Sequence, residues 1–174
     1  MQSSNIICNG IPKSGTHALV KAVQLLGQPT RHEHLPYSQK LNGKQILIKR
    51  HPRNIIISWV RFIKQQVTEG FIIHEMKTFE DNGLVQCLND YSGYLTDKDT
   101  LVVSFESLIS EESELRNISD FIGCEYIGDA FNNIIGLTPT YTGELSNWED
   151  HWTDNIDKEW VKLNGHTAER LWNY

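Results

Sequence analysis

The chain opens with an apolar run, Asn5-Ile6-Ile7-Cys8, of the length and type of a strand buried on both faces, and the pattern places that strand over residues 4–9. Apolar residues at helical spacing then predict a helix over 16–26, and residues 30–34 read as a short second strand. Gln45-Ile46-Leu47-Ile48-Lys49 is a clear strand. Pro52 suits the first turn of a helix running to about Val67. In that helix Ile56, Trp59, Val60, Ile63 and Val67 follow the 3.6-residue period and are expected to face the core. Residues 69–82 read as irregular and 83–95 as a helix. Leu101-Val102-Val103-Ser104-Phe105 is a further clear strand, followed by a helix over 111–122 with Ser110, or less favourably Ser113, as its cap. Residues 123–153 are loop-rich, and the tail from about Ile156 to Trp172 is helical in pattern.

Strands that alternate with helices predict an α/β fold. The expected form is a three-layer sandwich, a central parallel sheet with helices on both faces, and 174 residues fit one such domain over 1–174. Ligands of these sheets bind at the carboxyl ends of the strands. The chemistry is therefore sought after residues 9, 34, 50 and 105.

After the first strand the chain reads Gly10-Ile11-Pro12-Lys13-Ser14-Gly15-Thr16-His17. A strand, a Gly-rich turn and a helix start form a phosphate cradle, with backbone N–H groups and the helix dipole aimed at the anion. The nucleotide-binding P-loop places its Lys directly after the second Gly. Here Thr16 holds that position, and Lys13 lies inside the loop. After the second strand comes Arg31-His32-Glu33-His34-Leu35-Pro36, where a His can take a proton near neutral pH. His32 and His34, two apart on a strand, point the same way and allow a metal pair, but no third ligand is evident. After the third strand, Arg50 and Ser58 bracket a strand end and a helix start, which converge in space, so both can reach one phosphate. Phe105-Glu106 closes the fourth; Glu106 is either a magnesium-holding carboxylate or a buried acid paired with a basic group. Trp148 and Trp152, spaced i, i+4, read as core packing.

Charge sharpens this picture. The net charge is −6, which argues against a general nucleic-acid binder. Yet no acidic residue lies between Glu33 and Glu69, a window holding Lys40, Lys44, Lys49, Arg50, Arg53, Arg61 and Lys64. A local basic segment in an acidic chain fits either a small anionic ligand or a solvated basic face. Cys8, Cys87 and Cys124 make neither a disulfide framework nor a zinc pattern and read as thiols of a reducing compartment. No signal peptide and no membrane-length apolar run is visible, so a cytoplasmic protein without a membrane partner is expected.

Taken together the strings resemble the sulfotransferases that use 3′-phosphoadenosine-5′-phosphosulfate (PAPS). The family's loop typically reads Pro-Lys-Ser-Gly-Thr-Thr-Trp, against Pro12-Lys13-Ser14-Gly15-Thr16-His17-Ala18. Its 3′-phosphate site is an Arg and a Ser eight apart, as Arg50 and Ser58 are. His34-Leu35-Pro36 matches the end of its Thr-His-Leu-Pro string, and Phe105-Glu106-Ser107-Leu108 resembles its Tyr-Glu-Asp-Leu. Tyr141-Thr142-Gly143, Asn147-Trp148 and Trp152-Thr153 follow in the order of its later Arg-Lys-Gly, Asp-Trp and Phe-Thr.

The resemblance implies sulfuryl transfer to an acceptor hydroxyl, with adenosine 3′,5′-bisphosphate (PAP) as product and no metal required. It implies His34 as base, Lys13 stabilising the leaving phosphate, and Ser58 beside them as a third catalytic residue. Lys13, Ser14, Gly15, Thr16, His17, Arg50, Ser58 and Phe105 are the implied nucleotide ligands. Ala18 replaces the family's adenine-packing Trp, and Tyr141-Thr142 its Arg-Lys pair, for which Arg53 is the candidate substitute. Two other classes compete: a P-loop kinase or NTPase, and a non-catalytic nucleotide-binding module. The acceptor is not identified by the sequence, although the segment from Gln66 to Asn82, with Phe71-Ile72-Ile73-His74, is a candidate lining.

Overall fold

The computed structural model describes residues 5–134 and 147–174. Four strands, β1 (Ile6–Gly10), β2 (Thr30–Glu33), β3 (Gln45–Lys49) and β4 (Thr100–Ser104), form one parallel sheet in the order β2-β1-β3-β4. Cys8 stands opposite His32 on one side and Ile46 on the other, and Ile48 opposite Val103. From β1 the chain steps outward to β2, then returns to β3 on the opposite side. The switch point, where such sheets open a crevice, lies between β1 and β3.

The helices are α1 (Thr16–Leu25), α2 (Pro52–Lys64), α3 (Glu69–Thr78), α4 (Leu84–Tyr91), α5 (Phe105–Ser110), α6 (Glu112–Ile122), α7 (Asp154–Lys162) and α8 (Gly165–Leu171). Side chains alternate across a strand, so one face of the sheet presents Ile6, Cys8, Ile46, Ile48 and Val103 to α1, α5 and α6. Leu47 looks the other way, joining Ile11 in a core built with α2, α3, α4, α7 and α8. Helices thus cover both faces of the sheet, as the sequence pattern predicts. Trp148 and Trp152 pack against this second core.

Several elements depart from the pattern. Residues 69–82, read as irregular, contain α3, whose first turn is capped by the Thr68 hydroxyl accepting from Phe71 N–H. Phe105 opens α5 instead of ending β4, because Ser104 caps that helix. Ser110 caps nothing: it ends α5, its hydroxyl donating to the Glu106 carbonyl, and Glu111 precedes α6. The tail is two helices, broken where Asn164 adopts a left-handed φ of 61°. Gly165 fits there because a Cβ would run into the Trp160 ring. In α2, Ile55, Ile56, Ile57 and Val60 are fully buried, whereas Ile63 is 36% exposed. The helix is therefore wrapped on more sides at its start than at its end.

Candidate active site

The loop after β1 is held tightly. A Cβ on Gly10 would lie 2.6 Å from Ser14 Oγ and 2.9 Å from the Ile48 carbonyl, so only glycine lets the loop pack on β3. Lys13 sits at φ 70°, a conformation that costs a non-glycine residue about 1–3 kcal/mol and that clusters at functional sites. Gly15, at φ 106°, caps α1 with its Cα against the Phe105 ring. No side chain caps α1 and no acid lies in its first turn. Its first N–H groups have no carbonyl within the helix, and they carry the positive end of its dipole. Ser14 Oγ is buried with no hydrogen-bond partner among the described residues. An orphaned hydroxyl, uncapped N–H groups and a loop with no room for a Cβ fit an anion at this position.

Arg50 enters from the end of β3. It is 7% exposed, Nη1 donates to the Lys13 carbonyl at 3.1 Å, and its guanidinium stands 4.6 Å from the Phe105 ring centre. Ser58 projects from the second turn of α2. The start of that helix is fixed by Pro52 and by His51, whose Nδ1 accepts from Arg53 N–H.

His34 follows β2 and is located by the end of β1. Asn9 is buried; its Nδ2 donates to the Leu35 carbonyl and its Oδ1 accepts from Leu35 N–H, both at 2.9 Å. That clamp sets the ring beside the Gly10 carbonyl, 2.5 Å from His34 Nδ1. A carbonyl can only accept, so Nδ1 carries a proton, and in the neutral ring Nε2 is the nitrogen with the lone pair. His17, His32 and His34 stand in a row, each edge-to-face with the next at 4.8 Å between ring centres. Burial holds His17 and His32 below the usual imidazole range, and the charge of His34 adds to this.

One cavity of about 230 Å³ collects these parts. Lys13, Gly15, Thr16, His17, His34, Arg50, Ser58 and Phe105 all line it, and Ser14 lies buried behind the loop. Among the described residues, no carboxylate lines it. Burial, then the charge of Arg50, lowers the Lys13 pKa, as expected of a cation facing another. Ala18 lines the wall, and α2 supplies aromatic surface through Trp59 and Phe62. Phe62 carries Lys13 Nζ 4.1 Å over its ring centre. Neither aromatic was anticipated as a site residue, although Phe62 lies four residues after Ser58 and three after Trp59, spacings that share a flank of a helix.

Other candidates lie elsewhere. Arg53, the proposed substitute for the missing Arg-Lys pair, does not line the cavity. Its Nε donates to Glu169 at 2.6 Å, and its guanidinium lies 4.4 and 4.7 Å from the Trp148 and Trp152 rings. Glu106 is a structural acceptor, taking Ser104 Oγ at 2.9 Å, Tyr174 OH at 3.0 Å and His51 N–H at 3.2 Å. Of the basic residues in the acid-free window, Arg50 is the one that lines the cavity. Lys40 pairs with Asp97, and Lys64 with Glu75 at 3.6 Å. Tyr141-Thr142-Gly143 lies outside the described residues. Among those described, no three His, Cys, Asp or Glu side chains are grouped to hold a metal, and no helix is long and apolar enough to cross a membrane.

No protein-family model and no curated protein matches the chain. Solved structures do. Mouse sulfotransferase SULT7A1 complexed with PAP superposes with a TM-score of 0.77 at 15% identity, covering 100% of this chain and 89% of that one. Retinol dehydratase in a complex with retinol and PAP gives 0.71 at 11% identity, covering 95% of this chain and 81% of that one. At such identities the likeness speaks to architecture, and the chain has the α/β fold of the sulfotransferases.

Proposed function

We propose that the protein transfers a sulfuryl group from PAPS to an acceptor hydroxyl. The observation that carries this reading is one cavity, with no carboxylate among its described lining residues, onto which Lys13, Arg50, Ser58 and His34 all open. That both structural neighbours are complexes with PAP supports the nucleotide assignment.

In this mechanism Arg50 and Ser58 hold the 3′-phosphate, and the loop from Lys13 to His17 wraps the 5′ end. His34 Nε2 takes the proton of the acceptor hydroxyl. The acceptor oxygen forms a bond to sulfur as the bond from sulfur to the 5′-phosphate oxygen breaks. Lys13 and the first N–H groups of α1 meet the negative charge that develops on that oxygen. Little covalent chemistry falls to the protein, so positioning and charge stabilisation dominate.

Calorimetric titration with PAP and with ATP plus magnesium tests the nucleotide, and PAP is expected to bind more tightly. Preference for ATP would overturn the proposal in favour of a P-loop kinase or NTPase. His34→Ala is expected to lower turnover about 100- to 10,000-fold, the usual worth of a positioned acid or base, while PAP affinity stays near wild type. Wild-type turnover in that variant would remove His34 from the mechanism and leave Glu33 as the next base to test.

A further inference from the structure

A second cavity, about 150 Å³, shares Pro12 and His34 with the first and is otherwise lined by different residues. Its charge is opposite. Glu80 and Asp90 line it, and no Lys or Arg does. Neither carboxylate takes part in an ion pair among the described residues, and Asp90 accepts from its helical neighbour Gln86 at 2.7 Å. Glu80 reaches its place through a left-handed turn, φ 49° followed by 72° at Asp81. Tyr91, only 4% exposed, also lines the cavity, and its hydroxyl makes no hydrogen bond among the described residues. The side chain is buried while its hydroxyl stays accessible at the cavity, where a polar ligand can bond it. Pro36 and Phe79 add apolar wall. Burial, with the charges of Glu80 and Asp90 adding to it, pushes the Cys87 thiol up to about 12, so both carboxylates act on the cavity wall.

We infer that this second cavity receives the acceptor and selects a hydroxyl compound that carries a protonated amine. The hydroxyl meets His34 Nε2 where the two cavities join. The apolar body lies against Pro36 and Phe79, and the ammonium lies by Glu80 and Asp90. The inference rests on the sulfotransferase reading for the hydroxyl's role, whereas the charge selection stands on the cavity itself. An anionic donor on one side of His34 and a cationic acceptor on the other leave each substrate disfavoured in the wrong cavity.

The test is calorimetry with three phenols of similar size: 4-(2-aminoethyl)phenol, 4-ethylphenol and 3-(4-hydroxyphenyl)propanoate. Each is titrated into the protein saturated with PAP, for wild type, Glu80→Gln and the double variant Glu80→Gln, Asp90→Asn. The amine is expected to bind at least tenfold more tightly than 4-ethylphenol, with the propanoate weakest. The gap should shrink in Glu80→Gln and close in the double variant. Equal or tighter binding of 4-ethylphenol, binding by none of the three, or a gap that survives the double variant overturns the inference. PAP affinity, measured first on the same samples, separates the two claims. Failure to bind PAP sinks the sulfotransferase reading; the phenols are then titrated without nucleotide, where the same outcomes decide the selection.

Discussion

Arg50 and Arg53 sit three residues apart at the junction of β3 and α2, and both are buried, 7% and 9% exposed. Their surroundings differ. Arg53 is answered inside the fold: Glu169 pairs with it at 2.6 Å, Asp157 lies at 3.5 Å, and Trp148 and Trp152 flank the guanidinium. Arg50 packs on Phe105, donates to the Lys13 carbonyl and lines a cavity that holds a second cation and, among the described residues, no acid. A buried cation neutralised by its own chain holds the structure together. Arg50 instead lies beside a second cation on the wall of an open cavity, a setting in which an anionic ligand would be met. Local sequence does not distinguish them, since both lie in the same acid-free window and the answering Glu169 is 116 residues away.

The sharpest way to break this comparison is Arg53→Ala. It leaves the buried Glu169 with His166, at 3.0 Å, in place of its guanidinium partner, and loss of one partner of such a pair costs about 3–5 kcal/mol at most. Urea unfolding should register that loss, with PAP affinity of the folded fraction unchanged; the reverse pattern would move Arg53 into the site. Lys13→Ala comes next. Turnover should fall about 100- to 1,000-fold or further, the range for removing a charge-stabilising donor, with no loss of melting temperature. Arg50→Gln is expected to weaken PAP by about 10- to 100-fold in calorimetry, matching about 1.5–3 kcal/mol for hydrogen bonds to a charged group.

The smallest effect concerns pH. His17 and His32 are held below the usual imidazole value of about 6.5 by burial and by neighbouring cationic groups, so the folded state binds their protons less readily than the unfolded chain. Their contribution to stability is therefore complete above about pH 6.5 and declines as pH falls through that value. A bound anion favours the protonated rings. PAP should then raise the melting temperature more at pH 5.5 than at pH 7.5, and His17→Gln should reduce that difference.

The parts of the fold legible in the sequence are those with a local cause. The apolar strands, the Gly10–His17 loop and Pro52 at the start of α2 each declare themselves within a few residues. Where α3 was missed, Gly70 and the adjacent apolar residues Phe71, Ile72 and Ile73 blur the helical period, and the one signal was Thr68 as a cap. The C-terminal break was signalled by Asn164-Gly165, yet its cause, Trp160 against Gly165, is a contact of the folded chain. Lys13, His34, Arg50 and Phe105 follow strand ends, and they line one cavity together with Ser58 of α2. Asn9, Trp59 and Phe62 were not anticipated, because each gains its place through long-range packing: Asn9 through Leu35, Trp59 through its bond to Glu75, Phe62 through Lys13.

The hydrogen bond from Arg50 to the Lys13 carbonyl ties the end of β3 to the loop after β1. It makes the two segments that carry the cations a gauge, because the Arg50 guanidinium and the Lys13 backbone cannot part without breaking that bond. A gauge of this kind measures the interval between negative groups, not their number. A triphosphate carries more charge than a bisphosphate but presents it in one contiguous run, and the extra charge gains nothing if its second contact falls short of Arg50.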